Sequence, residues 1–368
     1  MLRFEIDPDI RRAHTPPAVF YTDPTVFEQL KRTAFTRSWQ FVADADVIKS
    51  PGSVYPCLLL DGCIEEPILL TRDFDDHIHC VANVCTHRGN LVCEGAGTER
   101  SLRCRYHGRR FELSGKFVSM PEFEGVVNFP TAADDLPTVR MSRWTRLLFA
   151  SLNPAHPLER VFDPMIQRVG WLPLGQFQPN PSQNREYVVR ANWALYLDNY
   201  LEGFHIPYIH ASLNDQLDYD NYSVELLEHG VLQVGVADES GAAFELPDSS
   251  PDRGRRIGAY YFWFFPNLMF NFYPWGLSIN IVRPIAVDLT RVSFISYVWK
   301  PHLVDHGAGA GLDRVEREDE AVVEATHRGL KSSLYTRGRY SAARETGTHH
   351  FHRLALAALT GGDASQQG

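Results

Sequence analysis

"CTHRGNLVCEGAGTERSLRCRYHGRRF", residues 85–111, decides how the rest of the chain is read. Three cysteines and two histidines fall within it. Reduced to possible metal ligands, it is Cys85-x-His87, a gap of sixteen residues, then Cys104-x2-His107. A plant-type ferredoxin cluster needs C-x4-C-x2-C; Cys80 and Cys85 supply the first interval, but Arg88 stands where the third thiolate belongs. A structural zinc site accepts both ligand types, yet zinc fingers group their cysteines together and their histidines together. Here each short loop offers one of each.

Mixed pairing is what a Rieske [2Fe–2S] centre requires. One iron takes two thiolates and the other two imidazoles, so two Cys/His loops can clamp the cluster from opposite sides. Gly89 and Gly108, each close behind a histidine, permit tight turns and let backbone N–H groups approach the sulfides. All six cysteines (57, 63, 80, 85, 93 and 104) lie in one window, and none follows Cys104. A disulfide framework would not be so concentrated, and the cytoplasm would not oxidise it. Cys93, between the loops, is expected to pack.

Working outward, the 368 residues are 44% hydrophobic and 22% charged, enough for a substantial core and for two domains. The net charge of −9 and the lack of a large Lys/Arg cluster speak against a nucleic-acid partner. The N-terminus "MLRFEIDPDIRRAHTPP" does not read as a signal peptide, and "YYFWFFPNLMFNFYPW" (260–275) is too broken by proline and asparagine to span a membrane. A cytoplasmic protein is expected. Residues 1–37 read as an N-terminal helical segment, with "DPTVFEQLKRTAFTRSW" starting at Asp-Pro. From 38 to 157, short β-like runs such as "QFVADADVI", "PILLTRD" and "HIHCVANV" predict a small antiparallel β domain. From 158 to 368 the pattern is mixed. A strand leads into a helix near 185–205, three or four strands follow between about 222 and 300, and helices close the chain. The fold class is therefore α+β, with an antiparallel sheet and segregated helices in the second domain. Stretches 238–256 and 360–368 are expected to be mobile, and "HGAGAGL" (306–312) a linker.

A second constellation lies in "NWALYLDNYLEGFHIPYIHASL", residues 192–213. On a continuous helix Asp198, Glu202 and His205 share a face at i, i+4 and i+7. His210 would point about 140° away, but Pro207 is expected to break the helix at Ile206 and let the chain turn back. Two imidazoles and a carboxylate would form the facial triad of a non-haem Fe(II) site with positions open for O2. Glu202 is the nearest acid. The helix at 312–330 offers a better one: Val315, Val322, Val323, Thr326 and Leu330 form an apolar stripe with Asp319 in its middle. Glu316 and Glu318 fall just outside the stripe's margins; Glu320 and Glu324 fall well outside and are expected to be solvated. An Asp in the centre of an apolar face is costly unless paired or metal-bound.

Together these motifs resemble the α-subunits of Rieske non-haem iron oxygenases over nearly the whole chain. The family usually reads C-P-Y-H-G-W where this chain has Arg105 and Arg109 in place of proline and tryptophan. Two extra cations there are expected to raise the cluster potential or to shape the surface where an electron donor docks. The resemblance implies a β-rich Rieske domain followed by a helix-grip, START-like catalytic domain. It implies one [2Fe–2S] cluster at Cys85, His87, Cys104 and His107, and one mononuclear iron at His205, His210 and Asp319. It also implies a homotrimer, in which Glu202 links His107 of one chain to His205 of the next, with Asp198 supporting. Electrons would come from NAD(P)H through a separate reductase, possibly with a ferredoxin, since no dinucleotide fingerprint is present. "DNYLEGFH", with Glu rather than the commoner Asp, looks like the choline and carnitine monooxygenase branch, as do "FPNLMFNFYPWGLSINIVRP" and "TRGRYSAARETGTHHFHRL". Hydroxylation or N-demethylation of a methylated amine or quaternary ammonium compound is therefore expected. The alternatives are aromatic ring dioxygenation and, from another class, a non-catalytic Rieske electron-transfer or redox-sensing protein.

The aromatic strands suit a substrate pocket, where rings could stack on a quaternary ammonium. They suit plain sheet core equally, so no substrate contact is nominated. His349, His350 and His352 read as exposed groups at a helix start, and His77 and His79 as structural.

Overall fold

A computed structural model describes residues 4–210, 219, 221–239 and 241–361. The chain divides into two compact units, Thr36–Ala155 and Met1–Phe35 with His156–Gly368.

The smaller unit is built of ten short strands: β1 (Gln40–Asp44), β2 (Ser53–Leu59), β3 (Glu66–Arg72), β4 (Ile78–Ala82), β5 (Gly97–Thr98), β6 (Leu102–Arg103), β7 (Arg110–Phe111), β8 (Phe117–Ser119), β9 (Arg140–Trp144) and β10 (Leu147–Ser151). They form antiparallel sheets ordered β4-β3-β2-β5, β1-β10-β9 and β6-β7-β8. The unbroken apolar run in "PILLTRD" is explained by burial of β3 on both faces. Ile68 and Leu70 join one core with Ile48, Leu59 and Leu148. Leu69 joins a second core with Val54, Val81, Phe111, Cys85 and Cys104. The cysteine ends of the two Cys/His loops are thus anchored in a core.

In the larger unit, α1 (Val19–Thr22) and α2 (Pro24–Thr33) precede α3 (Leu158–Val169). Asp23 caps α2 by accepting from the Thr25 N–H, as the Asp-Pro start predicts. Pro164 sits inside α3; Leu158, Phe162, Met165 and Val169 at i, i+4, i+7 and i+11 bury one face and sustain it. The strands are β11 (Gln178–Pro179), β12 (Arg185–Val189), β13 (Ser223–Leu227), β14 (Gly230–Val236), β15 (Ile257–Phe264), β16 (Leu268–Tyr273), β17 (Gly276–Ala286) and β18 (Leu289–Val298). They make one antiparallel sheet, β11-β18-β17-β16-β15-β14-β13, with β12 also on β18. Six strands therefore occupy the stretch where three or four are expected, because residues 223–236 form a further hairpin. The helices are α4 (Trp193–Tyr200), α5 (Ile206–Ile209), α6 (Leu312–Gly329) and α7 (Thr346–Thr360).

The sheet is covered on both faces, and its period-two alternation sorts the aromatic residues. Phe264 and Phe270 pack on Phe162 of α3. Trp263, of opposite parity, packs on Phe351 of α7. On that same parity, Gln233, Tyr261 and Asn271 stand side by side across β14, β15 and β16.

Several expectations are corrected. Within 238–256, of which residue 240 lies outside the described ones, Asp252 is anchored: 2% exposed, it accepts from Arg168, Arg255 and Tyr260. Residues 362–368 lie outside the described ones. "HGAGAGL" is no plain linker, since Ala308 and Gly309 are buried against the sheet's Tyr273 and Trp275. The histidines of α7 are inside rather than exposed. His349 bonds the Asp7 carbonyl, His350 the Leu227 carbonyl, and His352 lies between the Tyr21 and Tyr340 hydroxyls.

Candidate active site

In the smaller unit the two Cys/His loops are near copies of one turn. The Gly89 N–H donates to the Cys85 carbonyl and the Gly108 N–H to the Cys104 carbonyl, at 2.9 and 3.0 Å. The N–H of each cysteine is satisfied in the same way, from the Asn90 and Arg109 carbonyls. Both glycines have positive φ, +74° and +78°, which explains their place behind the histidines. Cys85 and Cys104 are buried; the His87 and His107 rings lie 4.8 Å apart and are partly exposed. The Asn90 amide approaches the Cys104 sulfur at 3.7 Å. Two thiols inside and two imidazoles at the rim form a donor set that suits a Rieske cluster. Burial raises the Cys85 thiol, and burial followed by the His107 charge lowers His87. Cys93 packs at the edge of the same core.

Arg109 is not a surface group. It is 2% exposed, donates to Asp134 Oδ1 at 2.8 Å and to the Asp134 carbonyl at 3.0 Å, and stacks among Phe111, Phe117 and Phe129. The guanidinium thus fills an aromatic slot as a flat, cation–π-bound plate. The Thr86 hydroxyl, between two candidate ligands, donates to the same Asp134 carbonyl, so Asp134 ties both loops together. Arg105 is exposed.

In the larger unit, α4 begins where Asn192 accepts from the Ala194 N–H, and it buries Trp193 to Leu197. It ends at Tyr200. The Glu202 carboxylate then captures the N–H groups of Phe204 and His205, a cap that turns the chain out of the helix. Asp198, Glu202 and His205 therefore do not share a continuous helix face. Asp198 accepts instead from the Tyr21 hydroxyl and lies 2.8 Å from His352 Nε2, tying α4 to α1 and α7. Pro207 does not end a helix either. It sits in the first turn of α5, where its missing N–H costs nothing.

The turn brings His205 and His210 together, with ring centroids 5.1 Å apart, and α6 adds Asp319. One donor atom from each of His205, His210 and Asp319 falls within 4.8 Å of the others. His210 Nε2 lies 2.9 Å and His205 Nε2 3.5 Å from Asp319 Oδ1. The opposite ring nitrogens are also held: His205 Nδ1 at 2.6 Å from Glu202, His210 Nδ1 at 2.7 Å from Glu318. With each Nδ1–H donating to a carboxylate, both Nε2 lone pairs face Asp319, the tautomer a metal needs. This two-imidazole, one-carboxylate set suits iron(II). Desolvation pulls the His210 pKa down, but Asp319 and then Glu318 outweigh it and the net shift is upward. Glu318 and Asn199, whose amide donates to Asp319 at 2.6 Å, are supporting residues the sequence reading missed; their adjacency to Asp319 and Tyr200 was the available signal.

The buried face of α6 is rotated from the expected stripe. Thr326 is exposed, while Glu316 and His327 are buried with Val323 and Leu330. Glu320 is partly buried, and Glu324 accepts from the Arg190 N–H.

Beside the triad lies a cavity of about 110 Å3. The sheet contributes Gln233, Tyr261, Asn271 and Tyr273, α4 adds Tyr196 and Tyr200, and α6 adds Glu316. Its described lining contains no Lys or Arg. A larger groove of about 1350 Å3, between residues 4–14, α2 and α7, lies away from the triad.

A chain with two Cys/His loops in one unit and a facial triad in another has the two centres of a Rieske non-haem iron oxygenase, and it belongs to that family. Residues 38–130 match the model of the Rieske [2Fe-2S] domain, and residues 180–361 that of the ring hydroxylating alpha subunit, catalytic domain. The chain is similar to the chloroplastic choline monooxygenase of Arabidopsis thaliana, 32% identical over 95% of this chain and 84% of that one. It is 28% identical to the carnitine monooxygenase oxygenase subunit of Escherichia coli K12, over 94% of this chain and 93% of the other. The solved structure of a quaternary ammonium Rieske monooxygenase has the same fold, with TM-score 0.76 and 24% identity over 96% of both chains. The protein is an iron-dependent oxygenase whose cofactors are a Rieske cluster and a mononuclear non-haem iron. A purely electron-carrying or sensing protein is thereby excluded. No helix among the described residues is long and apolar enough to cross a membrane.

Proposed function

We propose that the chain is the oxygenase component of a monooxygenase for a small methylated ammonium or amine, fed from NAD(P)H by a separate reductase. The observation that carries this is the cavity beside the triad, lined by tyrosine rings and carboxylates and, among the described residues, by no Lys or Arg. Such a lining favours a cation over an aromatic acid. The names of the choline and carnitine relatives agree.

In this reading Cys85, His87, Cys104 and His107 hold the cluster, and His205, His210 and Asp319 hold the iron. When bound, these groups supply one-electron transfer and O2 activation. The chain's own residues do the positioning. Glu202 fixes the His205 ring by holding its Nδ1 proton, and Glu318 does the same for His210. Glu202 also serves as the link to His107 of a neighbouring chain in a homotrimer. The solved relative described for inter-subunit electron transfer supports that assembly. Six cysteines without a disulfide suit a reducing compartment such as the cytoplasm.

The test is NADH-driven O2 uptake with a reductase across choline, other methylated amines and simple aromatics. Substrate-dependent uptake and product formation are expected with the methylated amines. Coupled turnover of aromatics alone would replace this reading with ring hydroxylation.

A further inference from the structure

We infer that Glu316 forms the cation subsite of the cavity, its buried carboxylate serving as counter-charge to the ammonium group of the substrate. This rests on the proposed function and goes beyond it by naming the group that selects for charge.

Glu316 stands one turn before Asp319 on α6, so both side chains reach the same side of the helix. It lines the cavity and is only 5% exposed. The Tyr196 hydroxyl donates to its Oε2 at 2.9 Å, which fixes the carboxylate in place. Its Oε1 is buried and has no hydrogen-bond partner among the described residues. A desolvated, unpaired carboxylate oxygen is costly, and burial pushes this carboxyl well above its usual range, so the empty site favours its neutral form and a bound cation restores the charge.

The other acids on the cavity are committed. Glu202 is bound to His205 and to backbone N–H groups, and Asp319 accepts from Asn199 and faces both histidines. Glu316 Oε1 is what remains to meet a ligand. Three nearby tyrosine hydroxyls donate within the protein: Tyr196 to Glu316, Tyr200 to Asn271 and Tyr222 to Gln233. With those protons committed, what these residues offer a ligand is ring surface and acceptor oxygens rather than hydrogen-bond donors. A quaternary ammonium has no N–H to donate and gains only from charge and ring faces. One unpartnered carboxylate oxygen among tyrosine rings matches that need.

The test uses the full chain carrying cluster and iron, without O2. Binding of choline is compared by titration calorimetry with that of 3,3-dimethylbutan-1-ol, its uncharged carbon isostere. Wild type is expected to prefer choline by about tenfold or more. Glu316→Gln should bring the two within about twofold by weakening choline alone. An unchanged preference in Glu316→Gln, with choline still bound, overturns the subsite and leaves the proposed function standing. Wild type that binds no trimethylammonium probe overturns both. Should Glu316→Gln not fold, Glu316→Asp decides: it keeps the charge but withdraws it by one methylene, so the preference must shrink, and an unshrunk one overturns the inference.

Discussion

The two candidate metal centres are assembled in opposite ways. The four cluster donors come from two short, nearly identical turns, each closed by its own glycine N–H onto its own cysteine carbonyl. The three iron donors come from the two ends of the short α5 and from α6, with His210 and Asp319 separated by 109 positions. A local site is held by backbone hydrogen bonds and survives changes elsewhere in the fold. A composite site depends on packing of α4 and α6 and on the carboxylates behind each imidazole. Substitutions should therefore separate the two centres cleanly.

The largest separation is expected at Asp319. Asp319→Ala should lower iron from about three to about two per chain and reduce turnover on the order of a thousandfold, with an unaltered cluster spectrum. A cluster lost together with the iron would mean that the centres are not independent. Smaller effects are expected one layer out. Glu318→Gln should weaken iron binding about 10- to 100-fold by freeing the His210 ring, measured by metal competition. Glu202→Gln should slow turnover by a similar factor, and it should do so even when the iron site is saturated. Full activity there would remove Glu202 from the electron path.

The same contrast governs what was legible in the sequence. The loops could be read because their geometry is written in adjacent residues: one Cys, one His and one Gly per turn. An antiparallel sheet was legible from the short β-like runs, though not its strand count or register. The phase of α6 was not, since Tyr196, a residue of another helix, supplies the hydrogen bond that lets Glu316 enter the core. His352 looked exposed for a similar reason, its partners Tyr21 and Asp198 being 331 and 154 positions away. Capping by Glu202 was hidden because Glu reads as a helix former until its carboxylate is seen on the Phe204 N–H.

Arg109 tests whether the local site is as self-contained as its hydrogen bonds suggest. Its charge is buried and fixed near the ligand loops, and Asp134 opposes it at 2.8 Å. Removing the cation should lower the cluster potential, and removing the anion should raise it, because a buried positive charge favours the reduced, more negative cluster. A redox titration of Arg109→Gln and Asp134→Asn should give shifts of opposite sign. Shifts of the same sign would point to a change in loop geometry rather than in charge.

The smallest effect concerns the cysteines that are not proposed ligands. Burial pushes the thiols of Cys57 and Cys80 up to about 12, so near pH 8 almost none of either is thiolate, the form that reacts. Cys63 is buried as well, whereas Cys93 is partly exposed. In the cluster-loaded protein, alkylation followed by mass spectrometry should label Cys93 slowly and leave Cys57, Cys63 and Cys80 unmodified. Removing the cluster with a chelator should add Cys85 and Cys104 to the labelled set. Because those two turns are held by backbone bonds rather than by the metal, the silent cysteines should stay silent after its removal. Labelling of Cys57 or Cys80 in the cluster-free protein would show that the metal, and not the turns, holds this unit together.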